Sequence, residues 1–224
     1  MIYITGDTHG EQARFSPFGM PREESFRAND TVIVCGDFGY IFSGSDEENK
    51  FLDELSEKPY TICFCDGNHD NLPAIYAYPE EEWNGGRVHR IRKNIFHLMR
   101  GQIFEIEGKK FFTMGGAFSI DKEYRTEGLS WWKEELPNGD EYAEATKNLR
   151  EAGNKVDYII THTAPRSIIS RMGEHSDPRD SELTGFLDWV VDEIRFKRWF
   201  FGHWHQEGEI GTKFRALWFD VEKI

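Results

Sequence analysis

Five short apolar stretches of the sequence end abruptly in polar side chains that can do chemistry, and glycine stands beside most of them. The set consists of carboxylates, imidazoles and one amide: Asp7, His9, Asp37, Asn68, His69, His162, His203 and His205. It holds five of the chain's eight histidines, which is unusual for histidines scattered over a surface. Nitrogen and oxygen ligands without a thiolate suit Mn, Fe, Zn, Ni or Co better than Mg or Ca.

These candidate ligands are too many for one metal ion. A carboxylate has two oxygens and can bridge a pair of ions, so the set favours a two-metal centre. Each motif alone also has a structural interpretation, because Gly-Asp is typical of a turn and His-x-His of surface or core histidines. Their joint occurrence, in order and each at a strand end, favours the metal site.

The apolar stretches are predicted to be buried strands, since short continuous apolar runs are typical of strands covered on both faces. They are Ile2–Thr5, Val32–Cys35, Ile62–Asp66, Tyr158–Thr161 and Trp199–Phe201. In open α/β sheets, ligands bind where the carboxyl ends of the strands converge. The neighbouring glycines allow tight turns and close approach of the backbone. Residues far apart in sequence are therefore expected to meet in one crevice.

Helices and hairpins fill the remaining sequence. Ser45 and Glu48 predict a capping box at a helix start, and an apolar stripe over 142–152 predicts a helix that stops at Gly153. A second stripe follows over 183–194. A hairpin is predicted from Gln102–Ile106 and Lys109–Met114, and a late strand over Phe214–Phe219. The pattern indicates an α/β layered sandwich in a single domain over residues 1–224, since no linker or repeat divides the chain.

The composition of the chain limits the kinds of partner and compartment that are expected. The 224 residues carry 27 Lys+Arg and 40 Asp+Glu, a net charge of −13, which disfavours non-specific binding of nucleic acid. Cys35, Cys63 and Cys65 lie in apolar stretches and match neither a disulfide framework nor a thiolate metal site. No apolar run is long enough to cross a bilayer. The first residues lack the basic and apolar regions that are typical of a signal peptide. A cytoplasmic protein without a membrane partner is expected, and the oligomeric state is left open.

Five motifs together resemble the signature of the calcineurin-like metallophosphoesterase superfamily. They are Asp7-Thr8-His9, Gly36-Asp37, Gly67-Asn68-His69-Asp70, His162 and Gly202-His203-Trp204-His205. The resemblance implies two facing mixed β-sheets flanked by helices. It implies one metal ion held by Asp7, His9, Asp37 and His205, and a second held by Asp37, Asn68, His162 and His203. Mn is the first expectation, with Fe, Zn, Ni or Co as alternatives.

The resemblance also implies phosphoester hydrolysis. Two divalent ions would lower the pKa of a bridging water and neutralise the phosphoryl oxygens during in-line attack. His69 would act as proton donor or leaving-group stabiliser, with Asp70 as its carboxylate partner. The substrate is expected to be a small phosphomonoester or phosphodiester. The alternative to an enzyme is a non-catalytic metal-binding scaffold of the same fold.

The second motif departs from the protein phosphatase branch, because the run from Gly36 to Ile41 contains no arginine and Asp70 stands where that branch has Glu. Such an arginine would hold a phosphate with two hydrogen bonds. A protein Ser/Thr phosphatase is therefore the less favoured alternative. The motifs are more similar to those of the bacterial phosphodiesterase and small-phosphatase branches.

The loop after Gly115-Gly116 is expected to border the metals and to form a substrate wall. Arg125 is the candidate for phosphate and Tyr124 for the rest of the substrate; the alternative is a loop anchored by buried Trp131 and Trp132. A basic cluster is expected to be a solvated strand edge. It consists of Arg87, Arg90, Arg92 and Lys93. The remaining histidines, His89, His97 and His175, are predicted to be structural or exposed.

Overall fold

Two mixed β-sheets face each other in the computed structural model, which describes residues 1–224. The first sheet has the order β13-β1-β2-β3-β6-β5-β4. Its strands are β1 (Ile2–Thr5), β2 (Thr31–Cys35), β3 (Thr61–Cys65), β4 (Glu80–Trp83), β5 (Gly86–Arg92), β6 (Ile95–Leu98) and β13 (Val221–Lys223). Strands β1, β2, β3 and β6 run parallel, and the flanking strands are antiparallel.

The second sheet has the order β11-β12-β10-β9-β8-β7. Its strands are β7 (Ile103–Ile106), β8 (Lys109–Met114), β9 (Tyr158–Thr161), β10 (Arg198–Phe201), β11 (Gly208–Ile210) and β12 (Phe214–Ala216). Strands β8, β9, β10 and β12 run parallel, with an antiparallel strand at each edge. Because they run parallel, the central strands of each sheet have their carboxyl ends on the same side of that sheet, as the sequence predicted. We call this side the common edge of the two sheets.

Five α-helices flank the sheets: α1 (Asp46–Ser56), α2 (Leu72–Tyr76), α3 (Gly139–Glu151), α4 (Arg166–Arg171) and α5 (Ser181–Glu193). The predicted capping box of α1 is confirmed in one half: the Ser45 side chain accepts a hydrogen bond from Glu48 N–H, but the Glu48 carboxylate accepts from the N–H groups of Ser43 and Gly44 and not from that of Ser45. The predicted end of α3 is also confirmed, since Gly153 follows it at a φ of 71°. None of these helices combines the length and apolarity that a membrane crossing requires.

The core has three layers. A central cluster between the sheets contains Ile4, Cys65, Phe111 and Phe200, and two outer clusters bury the helices against the opposite faces. All three cysteines are free and buried, and burial raises the pKa of the Cys63 thiol.

The late strand was predicted too long. The strand β12 ends at Ala216, and the prediction that it continues to Phe219 is wrong. The reason is Glu207, whose carboxylate accepts hydrogen bonds from the backbone N–H groups of Trp218, Phe219 and Asp220. Three consecutive amides that bind one side chain cannot continue a ladder, so the chain turns before β13.

The basic cluster lies on and just after β5, and each of its side chains has an acidic partner. Arg87 pairs with Glu80 and Glu144, Arg90 with Glu81, Arg92 with Asp53, and Lys93 with Glu57. The cluster is therefore a set of ion-paired surface side chains, and the predicted strand edge is wrong, because β5 lies between β6 and the edge strand β4. His89 and His97 are buried beside each other with their Nδ1 atoms 3.0 Å apart, whereas His175 is exposed.

A buried ion pair closes the end of β3 immediately before the Gly67-Asn68 motif. Asp66 accepts hydrogen bonds from Arg100 Nε at 3.0 Å and Nη2 at 2.7 Å, and its other oxygen lies 3.1 Å from His97 Nε2. Burial alone would raise the pKa of Asp66, but Arg100 and His97 hold it well below its usual range.

We expect Arg100→Met to lower the free energy of unfolding by about 3–5 kcal/mol, because it leaves the buried carboxylate of Asp66 without its cationic partner. Urea denaturation of the metal-free protein measures this. Arg87→Met is the matched control, since Arg87 forms exposed ion pairs that contribute at most about 1 kcal/mol. Equal losses in the two variants would contradict the role of burial.

Candidate metal centre

The predicted ligands converge at the common edge of the two sheets. In the first group, His9 Nε2 lies 3.0 Å from His205 Nε2, and His205 Nε2 lies 3.3 Å from Asp7 Oδ2. Asp37 Oδ2 is 3.9 Å from His9 Nε2. These are four of the strand-end residues, and they come from β1, β2 and β10.

The second group adjoins the first through Asp37. His162 Nε2 lies 3.4 Å from Asp37 Oδ2 and 3.0 Å from Asn68 Oδ1. The His203 ring packs edge-on against His162 with centroids 4.9 Å apart. A single oxygen of Asp37 therefore faces His9 on one side and His162 on the other.

The donor set fits divalent metal ions. Metal–ligand bonds of about 2.0–2.2 Å place neighbouring ligand atoms roughly 3 Å apart, and the closest pairs here have that spacing. Two groups of three ligand atoms lie within 4.8 Å of one another: Asp7, His9 and His205, and Asp7, Asp37 and His162. Oxygen and imidazole donors without sulfur match the metals expected from the sequence.

Asp7 belongs with the first group although it also approaches His162. Its Oδ1 lies 3.9 Å from His162 Nδ1, but that nitrogen is 2.9 Å from the Cys35 carbonyl oxygen, to which it donates. Because Nδ1 donates its hydrogen, Nε2 is the atom of His162 that could bind a metal ion. Asp7 also accepts a hydrogen bond from His203 N–H at 3.0 Å, which fixes its carboxylate.

Backbone strain is concentrated in these residues. Eight residues other than glycine have a positive φ, and four of them are predicted ligands: His9 (47°), Asp37 (48°), His203 (65°) and His205 (47°). Left-handed backbone at a non-glycine residue costs free energy and persists where the surrounding structure fixes it, often at functional sites. The strain turns these side chains toward one another after their strands end.

The motif glycines make room for the ligands. A Cβ at Gly67 would lie 2.1 Å from Asp37 Oδ1, and one at Gly202 would lie 2.0 Å from Asp7 Oδ1. A Cβ at Gly36 would lie 2.2 Å from His162 Nδ1. Any larger residue would displace a ligand, which gives a physical reason for glycine in each motif.

Electrostatics holds the ligands in mixed charge states. Burial alone would raise the pKa of Asp37, but His162, His69 and His9 hold it well below its usual range. Burial opposes the charge on His162, whereas Asp37 and Asp7 raise its pKa to about 10. Burial and His162 lower the pKa of His203 to about 3. The metal-free site thus carries a proton on His162 that a bound cation would replace, so metal binding should weaken as the pH falls.

His69 stands beside the ligands. Its backbone N–H donates to Asp37 Oδ1 at 2.7 Å, and its ring lies 5.3 Å from that of His9 between centroids. Arg125 Nη2 lies 2.6 Å from its Nδ1 and 2.9 Å from its Nε2. Burial lowers the pKa of His69, Asp37 opposes this shift, and Arg125 adds to it.

The predicted pairing of Asp70 with the His69 imidazole is wrong. The Asp70 carboxylate accepts hydrogen bonds from the backbone N–H groups of Gly39 at 2.8 Å, Gly67 at 2.9 Å and Phe38 at 3.2 Å. Burial and Asp37 raise its pKa to about 7, against the amides of Gly39 and Gly67. Asp70 therefore ties the second and third motif loops together and lies away from the imidazole.

The cleft beside the metal centre has a volume of about 400 Å³. Asp37, Asn68, His69, His203 and His205 line it, together with Phe118, Ile120, Asp121, Glu174, His175, Asp177, Asp180 and Trp204. Of these residues, Glu174, His175, Asp177 and Asp180 come from the α4–α5 connection and form a second wall that the sequence interpretation missed. This connection contains no recognisable motif, and its acidic residues are the only feature of its sequence that could have indicated a site.

Arg125 is beside the site and Tyr124 is not. The Arg125 side chain is 14% exposed, and its Nε donates to Asp121 Oδ2 at 2.9 Å and its Nη1 to the Ser130 carbonyl at 3.2 Å. Neither residue lines the cleft itself, but Arg125 contacts His69, which does, whereas Tyr124 is 90% exposed and makes no such contact. The structural alternative for the loop expected both tryptophans to be buried, and Trp132 is buried but Trp131 is only half-buried.

We expect Arg125→Ala to lower kcat/KM for phosphoesters by about 10- to 150-fold, equivalent to the ~1.5–3 kcal/mol of a charged hydrogen bond. Metal content and melting temperature should stay unchanged. Arg179→Ala is the matched control, because Arg179 is 61% exposed and pairs with Asp177 on the opposite wall. Unchanged kinetics in the Arg125 variant would remove this residue from substrate binding.

Two mixed sheets with a histidine- and carboxylate-lined metal centre at their common edge define a metal-dependent phosphoesterase architecture. The sequence profile of the calcineurin-like phosphoesterases matches residues 1–207, and the chain belongs to that family. A search of curated proteins finds no match to the chain.

Proposed function

We propose that the protein is a dinuclear-metal-dependent hydrolase of small phosphomonoesters or phosphodiesters. The observation that carries the proposal is the position of Asp37 Oδ2, 3.9 Å from His9 Nε2 and 3.4 Å from His162 Nε2. One carboxylate oxygen between two sets of ligands could bridge two adjacent ions. The metal-dependence and the reaction class are those of the family.

When bound, the two ions would polarise the phosphoryl oxygens and activate water for in-line attack. In this proposal Asp7, His9, Asp37 and His205 hold one ion, and Asp37, Asn68, His162 and His203 hold the other. Mn is the preferred metal and Fe, Zn, Ni or Co the alternatives. The three free, buried cysteines support a reducing compartment, so the proposal places the protein in the cytoplasm.

His69 is the proposed proton donor to the departing oxygen. It lines the cleft, and its backbone is fixed by the hydrogen bond to Asp37. Arg125 takes the place beside its ring that Asp70 was expected to hold. Burial and the neighbouring cation lower the pKa of His69, so its imidazolium gives up a proton readily but is populated only at lower pH than a free imidazolium would be.

Arg125 is the proposed phosphate-binding cation. Asp121 and Ser130 hold two of its nitrogens, and Nη2 is directed at the His69 ring. This position lies next to the proton donor, where a phosphoryl oxygen of the substrate would sit. In this proposal Arg125, on a neighbouring loop, binds the phosphate in place of the arginine that the second motif lacks.

The alternatives have weaker support. A non-catalytic scaffold would need no proton donor, whereas His69 stands next to a complete set of ligands. A protein Ser/Thr phosphatase is disfavoured by the absence of arginine from the run between Gly36 and Ile41.

The test is a panel of matched substrates, nitrophenyl phosphate, bis-nitrophenyl phosphate and a phosphoserine peptide, with each candidate metal. We expect metal-dependent hydrolysis of one or both nitrophenyl esters, fastest with Mn²⁺, and little hydrolysis of the peptide. A protein that binds the metal and hydrolyses no ester faster than the metal-free control would favour the scaffold. Hydrolysis of the peptide above both esters would favour the protein phosphatase.

A further inference from the structure

We propose that Ser119 is a positioning residue that orients the side-chain amide of Asn68 toward the second metal ion. This inference rests on the proposed function, in which Asn68 is a ligand. Asn68 Nδ2 donates to Ser119 Oγ at 3.0 Å, and Asn68 Oδ1 lies 3.0 Å from His162 Nε2. The amide is therefore held at both ends.

The orientation matters because only one end of a carboxamide binds a cation. The oxygen has lone pairs to donate, whereas the NH₂ group has only hydrogens to offer. Ser119 Oγ also donates to the backbone carbonyl oxygen of Asn68 at 3.4 Å, so its own hydrogen is directed away from the amide. The lone pairs of the hydroxyl then face Nδ2, which directs Oδ1 toward His162.

Ser119 is itself fixed by the loop that follows it. Its backbone N–H donates to Glu135 Oε1 at 3.1 Å, and Glu135 forms an ion pair with Lys122. Ser119 and Glu135 are each 1% exposed, and Asn68 is 3% exposed. Since solvent has so little access to these groups, a lost hydroxyl would leave the amide without a replacement partner.

The connection links the substrate loop to the metal centre. The same loop, residues 119–136, places Arg125 against His69 and Ser119 against Asn68. Partners of metal ligands typically change metal affinity by about 10- to 100-fold when they are removed. Ser119 should act on the second ion alone, because it contacts a ligand of that ion only.

The test measures Mn²⁺ binding to the metal-stripped, full-length protein by calorimetry and electron paramagnetic resonance. In Ser119→Ala, we expect the first ion to bind with wild-type affinity and the second to bind about 10- to 100-fold more weakly. Ser130→Ala is the matched control, because Ser130 lies in the same loop and its hydroxyl contacts only Thr126. It should bind both ions as the wild type does.

A second variant keeps the test valid if the Ser119→Ala protein does not fold. Ser119→Cys keeps a similar shape with a weak hydrogen-bond acceptor and should also weaken the second ion selectively. Wild-type affinity for both ions, or an equal weakening of both, would overturn the positioning role. A wild-type protein that binds fewer than two Mn²⁺ ions would overturn the proposed function itself, which separates the two failures.

Discussion

Replacing Asp37 with alanine should remove both metal ions and reduce phosphoester hydrolysis to the level of the metal-free protein. One carboxylate oxygen of Asp37 faces His9 and His162, so the substitution removes an oxygen from each group of ligands. The variant also loses the acceptor for the His69 N–H. Elemental analysis of the purified variant, together with its turnover of nitrophenyl phosphate, measures the effect.

His9→Ala is the matched control for the bridging position. His9 lies in the first group of ligands only, so its removal should weaken mainly one ion and leave the other bound. Two ions per chain in the Asp37 variant would contradict the bridging assignment. Loss of both ions in both variants would show that the two sites depend on each other and are not joined through Asp37 alone.

His69→Ala should keep both metal ions and lower kcat by about 10²–10⁴-fold for esters with poor leaving groups. The imidazole is not in either group of ligands, and its contact with the centre runs through its backbone N–H, which alanine retains. Nitrophenolate leaves with little protonation, so the loss should shrink for nitrophenyl esters. Steady-state kinetics with an alkyl and a nitrophenyl ester compares the two.

His175→Ala controls for the loss of a histidine from the same cleft. His175 lines the cleft but is exposed and belongs to the opposite wall, so its removal should change kcat little. An equal loss for activated and unactivated esters in the His69 variant would rule out proton donation. Loss of a metal ion from that variant would instead make His69 part of the metal centre.

The sequence was sufficient to predict that the candidate ligands converge, because their position follows from a simple geometric rule. Parallel strands such as β1, β2 and β3 end at one edge, and residues directly after them must meet there. The motif glycines were equally predictable, since only a missing Cβ allows the backbone at Gly67 and Gly202 to approach Asp37 and Asp7.

The surroundings of the ligands could not be predicted in the same way. Asp70 follows His69 directly, yet its carboxylate binds amides of the loop at Gly39, 31 residues away in sequence. The ring of His69 instead meets Arg125, 56 residues away. Such choices depend on how loops pack in three dimensions, and neither residue type nor spacing encodes them. Ser119 was missed for the same reason.

The most direct test of a two-metal mechanism is a titration of the metal-stripped protein with Mn²⁺ that follows bound ions and phosphoester hydrolysis together. We expect full activity only when two ions are bound per chain, with little hydrolysis at one ion per chain. Full activity with a single bound ion, or activity that does not depend on metal, would contradict the dinuclear centre around Asp37.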